Sequence, residues 1–233
     1  MNFFMPYLYR LIYRKNGPLI FVSHLDLNSI FRRTILRAKI PVELTEGFNP
    51  RLKVSFGPAL PLGIAGWQEI MEISLAEPLA EELLVDRINK AAPSGLRIVR
   101  AEGLLQQKIS LNKLLKCASY LVYFAFEIPI GVNSIKNCQS RLEAAIMRLL
   151  REKEIIITTD TKKRMAELNL RPFLHKINIL SRRDDRLIVR LIINLLQGRS
   201  INPYLIMNKI MESNGDSVTI EKVIREKFIL NTL

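Results

Sequence analysis

The sequence has 233 residues but only two histidines, two cysteines and one tryptophan, and each scarcity removes a class of chemistry. Cys117 and Cys138 stand 21 positions apart, a separation that fits no zinc, iron-sulfur or Cys-x-x-Cys redox spacing. No secretory context invites a disulfide, so the expectation is two buried free thiols in a reducing cytoplasm. Two scattered histidines, His24 and His175, do not assemble a metal site with them. No glycine fingerprint opens a helix as a nucleotide loop does, so neither cofactor nor metal is expected. No apolar run approaches the roughly 18 residues of a membrane-spanning helix. The start MNFFMPYLYRLIYR is interrupted by Arg10 and Arg14 and lacks the basic beginning and small-residue cleavage site of an export signal. The expectation is a soluble cytoplasmic protein with no membrane partner.

What the chain has in excess is positive charge. Lysine and arginine number 35 against 22 acidic residues, giving +13, and such a field attracts polyanions. Residues 1–110 hold 14 basic and 10 acidic side chains, and 111–233 hold 21 and 12, so both halves are cationic. A hydrophobic fraction of 48% argues against disorder, and the length suffices for one large domain or two smaller ones.

YLYRLIYRK (7–15) is rich in aromatic and branched residues and runs into Asn16-Gly17-Pro18, a strand followed by a turn. Ser23 and Asp26 have the spacing of a capping box. Leu27, Ile30, Phe31, Ile35 and Ala38 then recur at helical intervals, which predicts a helix over 24–39 stopped by Pro41. VELTEGF and LKVSFG read as short strands around Gly47, QEIMEISLA as an imperfectly alternating strand, 81–91 as a helix and GLRIVRAEGL as a strand. The order β-α-β-β-α-β is that of a ferredoxin-like fold. After a connector at 105–118, a strand (119–128), a helix (134–153), a strand (155–159), a basic segment, strands at 173–180 and 186–196, a helix (202–213) and a strand (218–229) repeat the pattern. The expected fold is α+β, two tandem ferredoxin-like sandwiches, at 1–104 and 119–233. The pairing rests on element order, because the halves share no sequence similarity.

Arg33 and Arg37 lie four apart on the first helix, with Arg32 and Lys39 seven apart, so the side opposite the Leu27/Ile30/Phe31 stripe is cationic and unopposed by acid after Asp26. A solvated charged face has the same pattern. EGFNPRLKVSFGPALPLG (46–63) combines glycines with Phe48, Asn49, Arg51, Lys53 and Phe56. Glycine admits close phosphate approach, the cations supply charge and phenylalanine offers a stacking face, although a hairpin with aromatic core plugs reads the same way. His24 falls at the first helical position, where the helix N-terminus disfavours the imidazolium and leaves a neutral donor and acceptor. In the second half Lys162, Lys163 and Arg164, with Arg171, form a basic cluster in an expected loop, a pattern typical of backbone-phosphate contacts.

Three stretches, GPLIFVSHLDL, TEGFNPRLKVSFGPALPLGI and LNLRPFLHKI, give the chain a family resemblance. It resembles the radical SAM-linked family, a bacterial domain of unknown function that occurs fused to the C-terminal end of a radical SAM enzyme or as a separate protein beside one. The resemblance spans about Tyr7 to Ile229. Arg51-Leu52 stands where a His-Pro pair is common in that family, and Asn169 where Asp is common. The family's gene neighbours imply a connection to RNA or the ribosome. A radical SAM enzyme needs three closely spaced cysteines for its cluster, so this chain would serve a separate enzyme.

The leading expectation is therefore an RNA-binding accessory protein, its partners an RNA of the ribosomal or transfer class and a radical SAM protein. One patch would comprise His24, Arg32, Arg33, Arg37, Asn49, Arg51 and Lys53, and another Lys162, Lys163, Arg164 and Arg171. A metal-independent ribonuclease using His24 as acid or base is the enzymatic rival. A protein-interaction scaffold is the third reading.

Overall fold

The structure is a computed structural model and describes residues 7–104, 110–126, 132–161, 164–183, 186–212 and 218–230. Strand β1 (Tyr7–Lys15) buries Tyr9, Leu11, Tyr13 and Lys15 at alternate positions, as the two-residue period of a strand requires. Ser23 then caps helix α1 (His24–Arg37). Its Oγ accepts the Asp26 N–H at 3.1 Å and donates to the Asp26 carboxylate at 2.7 Å. The stop comes earlier than Pro41. Lys39 adopts φ 51°, the left-handed conformation usual at the residue after a helix, so that the Lys39 N–H reaches the Leu36 carbonyl and the Ile40 N–H the Ile35 carbonyl. Ile40 and Ile35 are both buried, which supplies the apolar contact of that motif.

Strands β2 (Val54–Phe56) and β3 (Ala65–Leu75), helix α2 (Glu81–Ala91) and strand β4 (Leu96–Leu104) follow. The expected VELTEGF strand is reduced to isolated bridges, Val42 to Leu75 and Leu44 to Leu52. Next come α3 (Leu111–Leu114), β5 (Leu115–Phe126), α4 (Val132–Arg151), β6 (Ile156–Thr161), β7 (Arg164–Asn169), β8 (Leu174–Arg183), β9 (Arg186–Asn194), α5 (Pro203–Met211) and β10 (Val218–Leu230). The class is mixed α+β. The chain divides into two compact units, Met1–Leu115 with Arg225–Leu233, and Lys116–Ile224.

In the first unit β1 lies between β4 and β3, antiparallel to both, and β3 also pairs with β2 and neighbours β10. One side of this sheet carries Tyr9, Leu11, Tyr13, Met71, Ile73, Leu75, Leu96 and Ile98 against Leu27, Phe31 and Ile35 of α1 and Leu84 and Ile88 of α2. Each such side chain contributes about 1.5–3 kcal/mol through burial. The outer edge of β4 is closed by side chains of α2. Asn89 donates to the Ile98 carbonyl at 2.9 Å and accepts its N–H at 2.7 Å, and Glu81 accepts the Gly103 N–H. Capping the edge in this way blunts pairing with another chain.

In the second unit the strand order is β10-β5-β9-β8, with β9 antiparallel to β5 and β8. Leu142, Ala145, Ile146 and Leu149 of α4 are buried at helical spacing, as are Ile206, Met207 and Ile210 of α5. The strand expected at 155–159 is β6, and the segment expected as a basic loop after it contains β7, which pairs with β6 antiparallel from Ile156 opposite Asn169 to Thr161 opposite Arg164. Lys162 and Lys163 lie outside the described residues.

Candidate nucleic-acid interface

On α1 the helical period carries out the sorting that the sequence predicts. Leu27, Phe31 and Ile35 are buried, and Arg32, Arg33 and Arg37 are exposed. Their local roles differ. Arg33 donates to the Ser29 carbonyl one turn back at 3.3 Å, whereas Arg37 donates to the Ala91 carbonyl at the end of α2 at 2.9 Å and so ties the two helices together. In the loop after α1, Phe48, Asn49 and Arg51 are exposed, and the turn is closed by the Arg51 N–H on Thr45 Oγ1 at 3.0 Å.

The sheet separates Lys53 from the helix. In β2, Val54 and Phe56 pack on the core side, where Phe56 meets the Phe31 ring edge-on at 5.3 Å and the His24 ring at 5.8 Å. Alternation therefore sends Ser55 and Lys53 to the opposite side. There Lys53 pairs with Glu43 at 3.1 Å and lines a hollow with Leu8, Glu72 and Ser74. His24, Arg32, Arg33 and Arg37 thus share the helix layer, and Lys53 faces away from it.

His24 stands half-buried at the first position of α1, beside a polar cluster. Lys15, Glu69 and Arg225 are buried, and Arg225 is joined to Glu69 through Nε to Oε1 at 2.7 Å and Nη2 to Oε2. The guanidinium also donates to the Pro58 carbonyl at 2.8 Å and the Ala59 carbonyl at 3.3 Å, and lies 4.5 Å from the Phe228 ring centre. Lys15 Nζ donates to the Val22 carbonyl at 2.9 Å, just ahead of the helix cap. Burial, followed by the Arg225 and Lys15 charges, lowers the His24 pKa below its ordinary value, so the ring is held neutral. Burial and Arg225 lower Lys15 as well, while burial and the Glu69 carboxylate raise the Tyr13 phenol. The weak sequence hint of this cluster is polar residues at inward-facing strand positions, Lys15 after Tyr13 and Glu69 before Met71. Arg225 lies 156 positions from Glu69 and carries no such hint.

In the second unit Arg171 is half-buried and donates to the Leu174 carbonyl at 3.2 Å. Asn169 accepts the N–H groups of Ile155 at 3.1 Å and Arg171 at 2.9 Å, which holds the base of the β6-β7 hairpin. His175 is exposed on β8. Among the described residues no group of three histidines, cysteines or carboxylates is placed to hold a metal, and no helix is long and apolar enough to cross a membrane.

No curated protein matches the sequence. Similar solved structures include a Cbf5-Nop10-Gar1 complex, at 11% identity and a TM-score of 0.47 over 95% of this chain and 48% of that one. An archaeal box H/ACA sRNP Nop10-Cbf5 complex is similar at 11% identity and a TM-score of 0.45 over 94% and 46%. This chain thus spans about half the length of the chains it resembles. Residues 8–203, most of the sequence, match one bacterial family throughout, and the chain belongs to that family, described as an uncharacterized protein conserved in bacteria (DUF2344).

Proposed function

We propose that this chain is an RNA-binding accessory protein that works in the cytoplasm and presents an RNA of the ribosomal or transfer class to a separate radical SAM enzyme. The observation that carries the RNA reading is the outer face of α1, where Arg32, Arg33 and Arg37 are exposed with no ion-pair partner among the described residues, on a chain of net charge +13. The exposed loop tip with Phe48, Asn49 and Arg51 adds a stacking ring and a further guanidinium. The radical SAM partner rests on the sequence resemblance and on two cysteines too far apart to hold a cluster. We also read each unit as a ferredoxin-like sandwich, supported by the strand orders β4-β1-β3-β2 and β10-β5-β9-β8. Lys162, Lys163 and Arg164 remain candidate phosphate contacts.

The test is RNA affinity against salt for the variant Arg32→Gln, Arg33→Gln, Arg51→Gln. For a single strand each lost phosphate contact lowers the slope of log affinity on log salt by roughly 0.7. Ser23→Ala is the control, costing about 1 kcal/mol of stability with the slope unchanged. Identical slopes in the triple variant and the wild type would return α1 to an ordinary solvated face.

A second reading has one observation in its favour, the neutral imidazole of His24 beside cationic Lys15 and Arg225. A metal-independent ribonuclease using His24 would cleave RNA in chelator, with cleavage lost and binding kept in His24→Ala. The accessory reading expects intact RNA in the same assay.

A further inference from the structure

The side of the first unit's sheet that faces away from the helices carries arginines that no sequence motif groups. Along β1, Arg10, Ile12 and Arg14 alternate with the core residues Leu11 and Tyr13, so they share this side. The β1-β4 register puts Arg10 opposite Glu102, Ile12 opposite Arg100 and Arg14 opposite Arg97. Arg10 is satisfied by Glu72, its neighbour on β3, at 2.7 Å. Arg14, Arg97 and Arg100 are exposed and have no acidic partner among the described residues.

The Arg14-Arg97 juxtaposition is the telling feature. Like charges directly across an antiparallel pair destabilise a sheet, and the usual arrangement sets opposite charges there, as it does at Arg10 and Glu72. A hollow of about 350 Å³ opens beside the pair at the edge of the sheet, lined by Arg14, Asn16, Ser94 and Arg97 together with Asn89 and Ala92 at the end of α2, and so adds amide and hydroxyl groups to two guanidinium forks. Arg100 borders a smaller dent of about 110 Å³ lined by Gln68, Glu102, Lys227 and Phe228, with the buried Ile12 and Ile70 at its floor. Guanidinium pairs with polar neighbours match phosphate oxygens, and the partly exposed Phe228 ring offers a stacking face to a base.

We propose that the exposed part of this helix-free side is a track for single-stranded RNA, with Arg14 and Arg97 on one phosphate, Arg100 on the next, and a base against the partly exposed Phe228 ring. The proposal rests on the RNA-binding reading above and places a second contact surface on the other side of the sheet from α1. Binding would relieve the Arg14-Arg97 repulsion, so the strand pair that the free protein strains is stabilised in the complex.

The experiment uses the full chain with Arg14→Gln, Arg97→Gln and Arg100→Gln together, and a short uridine-rich single-stranded RNA as probe. Affinity is followed over a salt series, with the α1-loop triple variant in parallel. The expected result is weaker binding and a salt slope reduced by about 1.4, at roughly 0.7 for each of the two phosphates, with the urea midpoint equal to or above that of wild type. Wild-type affinity and slope in this variant, alongside a loss in the α1-loop variant, would overturn the sheet track and leave the RNA reading standing. Absence of RNA binding by the wild-type chain would overturn both. Equal affinity for an RNA duplex, or displacement of the probe by inorganic phosphate at comparable phosphate concentration, would likewise reject a single-strand track in favour of a general anion surface.

Discussion

Arg225 donates through Nε to Glu69 Oε1 at 2.7 Å, across 156 positions of sequence, and both side chains are almost fully buried, at 1% and 4% exposure. The pair fastens the end of β10 to β3 and to the loop carbonyls of Pro58 and Ala59. Removing one partner leaves a buried charge uncompensated, a loss of about 3–5 kcal/mol. Arg225→Ala is expected to lower the unfolding free energy read from urea denaturation by that amount. Arg225→Met with Glu69→Leu should be much less damaging, and equal losses in the two variants would show that packing rather than charge compensation dominates.

Gly66 makes room for that pair. A Cβ built there would lie 2.8 Å from Glu69 Cδ and Oε1 and nearer still to Cγ, and the Glu69 side chain is held by Arg225. Gly66→Ala is expected to destabilise the wild type by about 1–3 kcal/mol through overpacking, and by much less in a Glu69→Ala background. Additive losses in this double-mutant cycle would refute the close approach as the cause.

The lowered pKa of His24 fixes the sign of a pH effect. Below the ordinary value of about 6.5 the unfolded chain takes up a proton that the folded site resists, so stability is fully present above that value. It falls as pH drops from there toward the folded pKa, and levels off below it. His24→Gln should flatten the stability-pH curve in that window, as read from urea midpoints. The His24 ring resonance should titrate below about pH 6.5, and a midpoint above it would exclude the neutral imidazole.

Lys39 adopts φ 51°, a conformation that costs a residue with a side chain roughly 1–2 kcal/mol and glycine almost nothing. Lys39→Gly is expected to raise stability by up to about 1 kcal/mol, the remainder being lost to the greater freedom of glycine in the unfolded chain. A lower melting temperature in that variant would count against the left-handed termination of α1.

The elements with strong periodicity were legible from the residues alone. The alternation of 7–15, the Ser23 cap and the Leu27/Phe31/Ile35 stripe give β1 and α1 nearly residue for residue, because local hydrogen bonds and side-chain spacing decide them. Less legible was β3, where Ile70 and Glu72 are buried on the side away from the helices, so that both faces are covered and the two-residue period is lost. Strand β7 was hidden by charge, since Lys162 to Arg164 interrupt the apolar pattern that marks a strand.

The sequence by itself determined the sign of the electrostatic field and the cationic outer face of α1, because each depends on composition or on neighbours within a few residues. Only the tertiary structure decided that Glu69 would meet Arg225, that Lys53 would turn away from α1, and that Arg14 would stand opposite Arg97. The reason is register. Shifting a strand by one residue reverses which side every side chain takes, and register is set by the summed packing of distant segments, which no local pattern encodes.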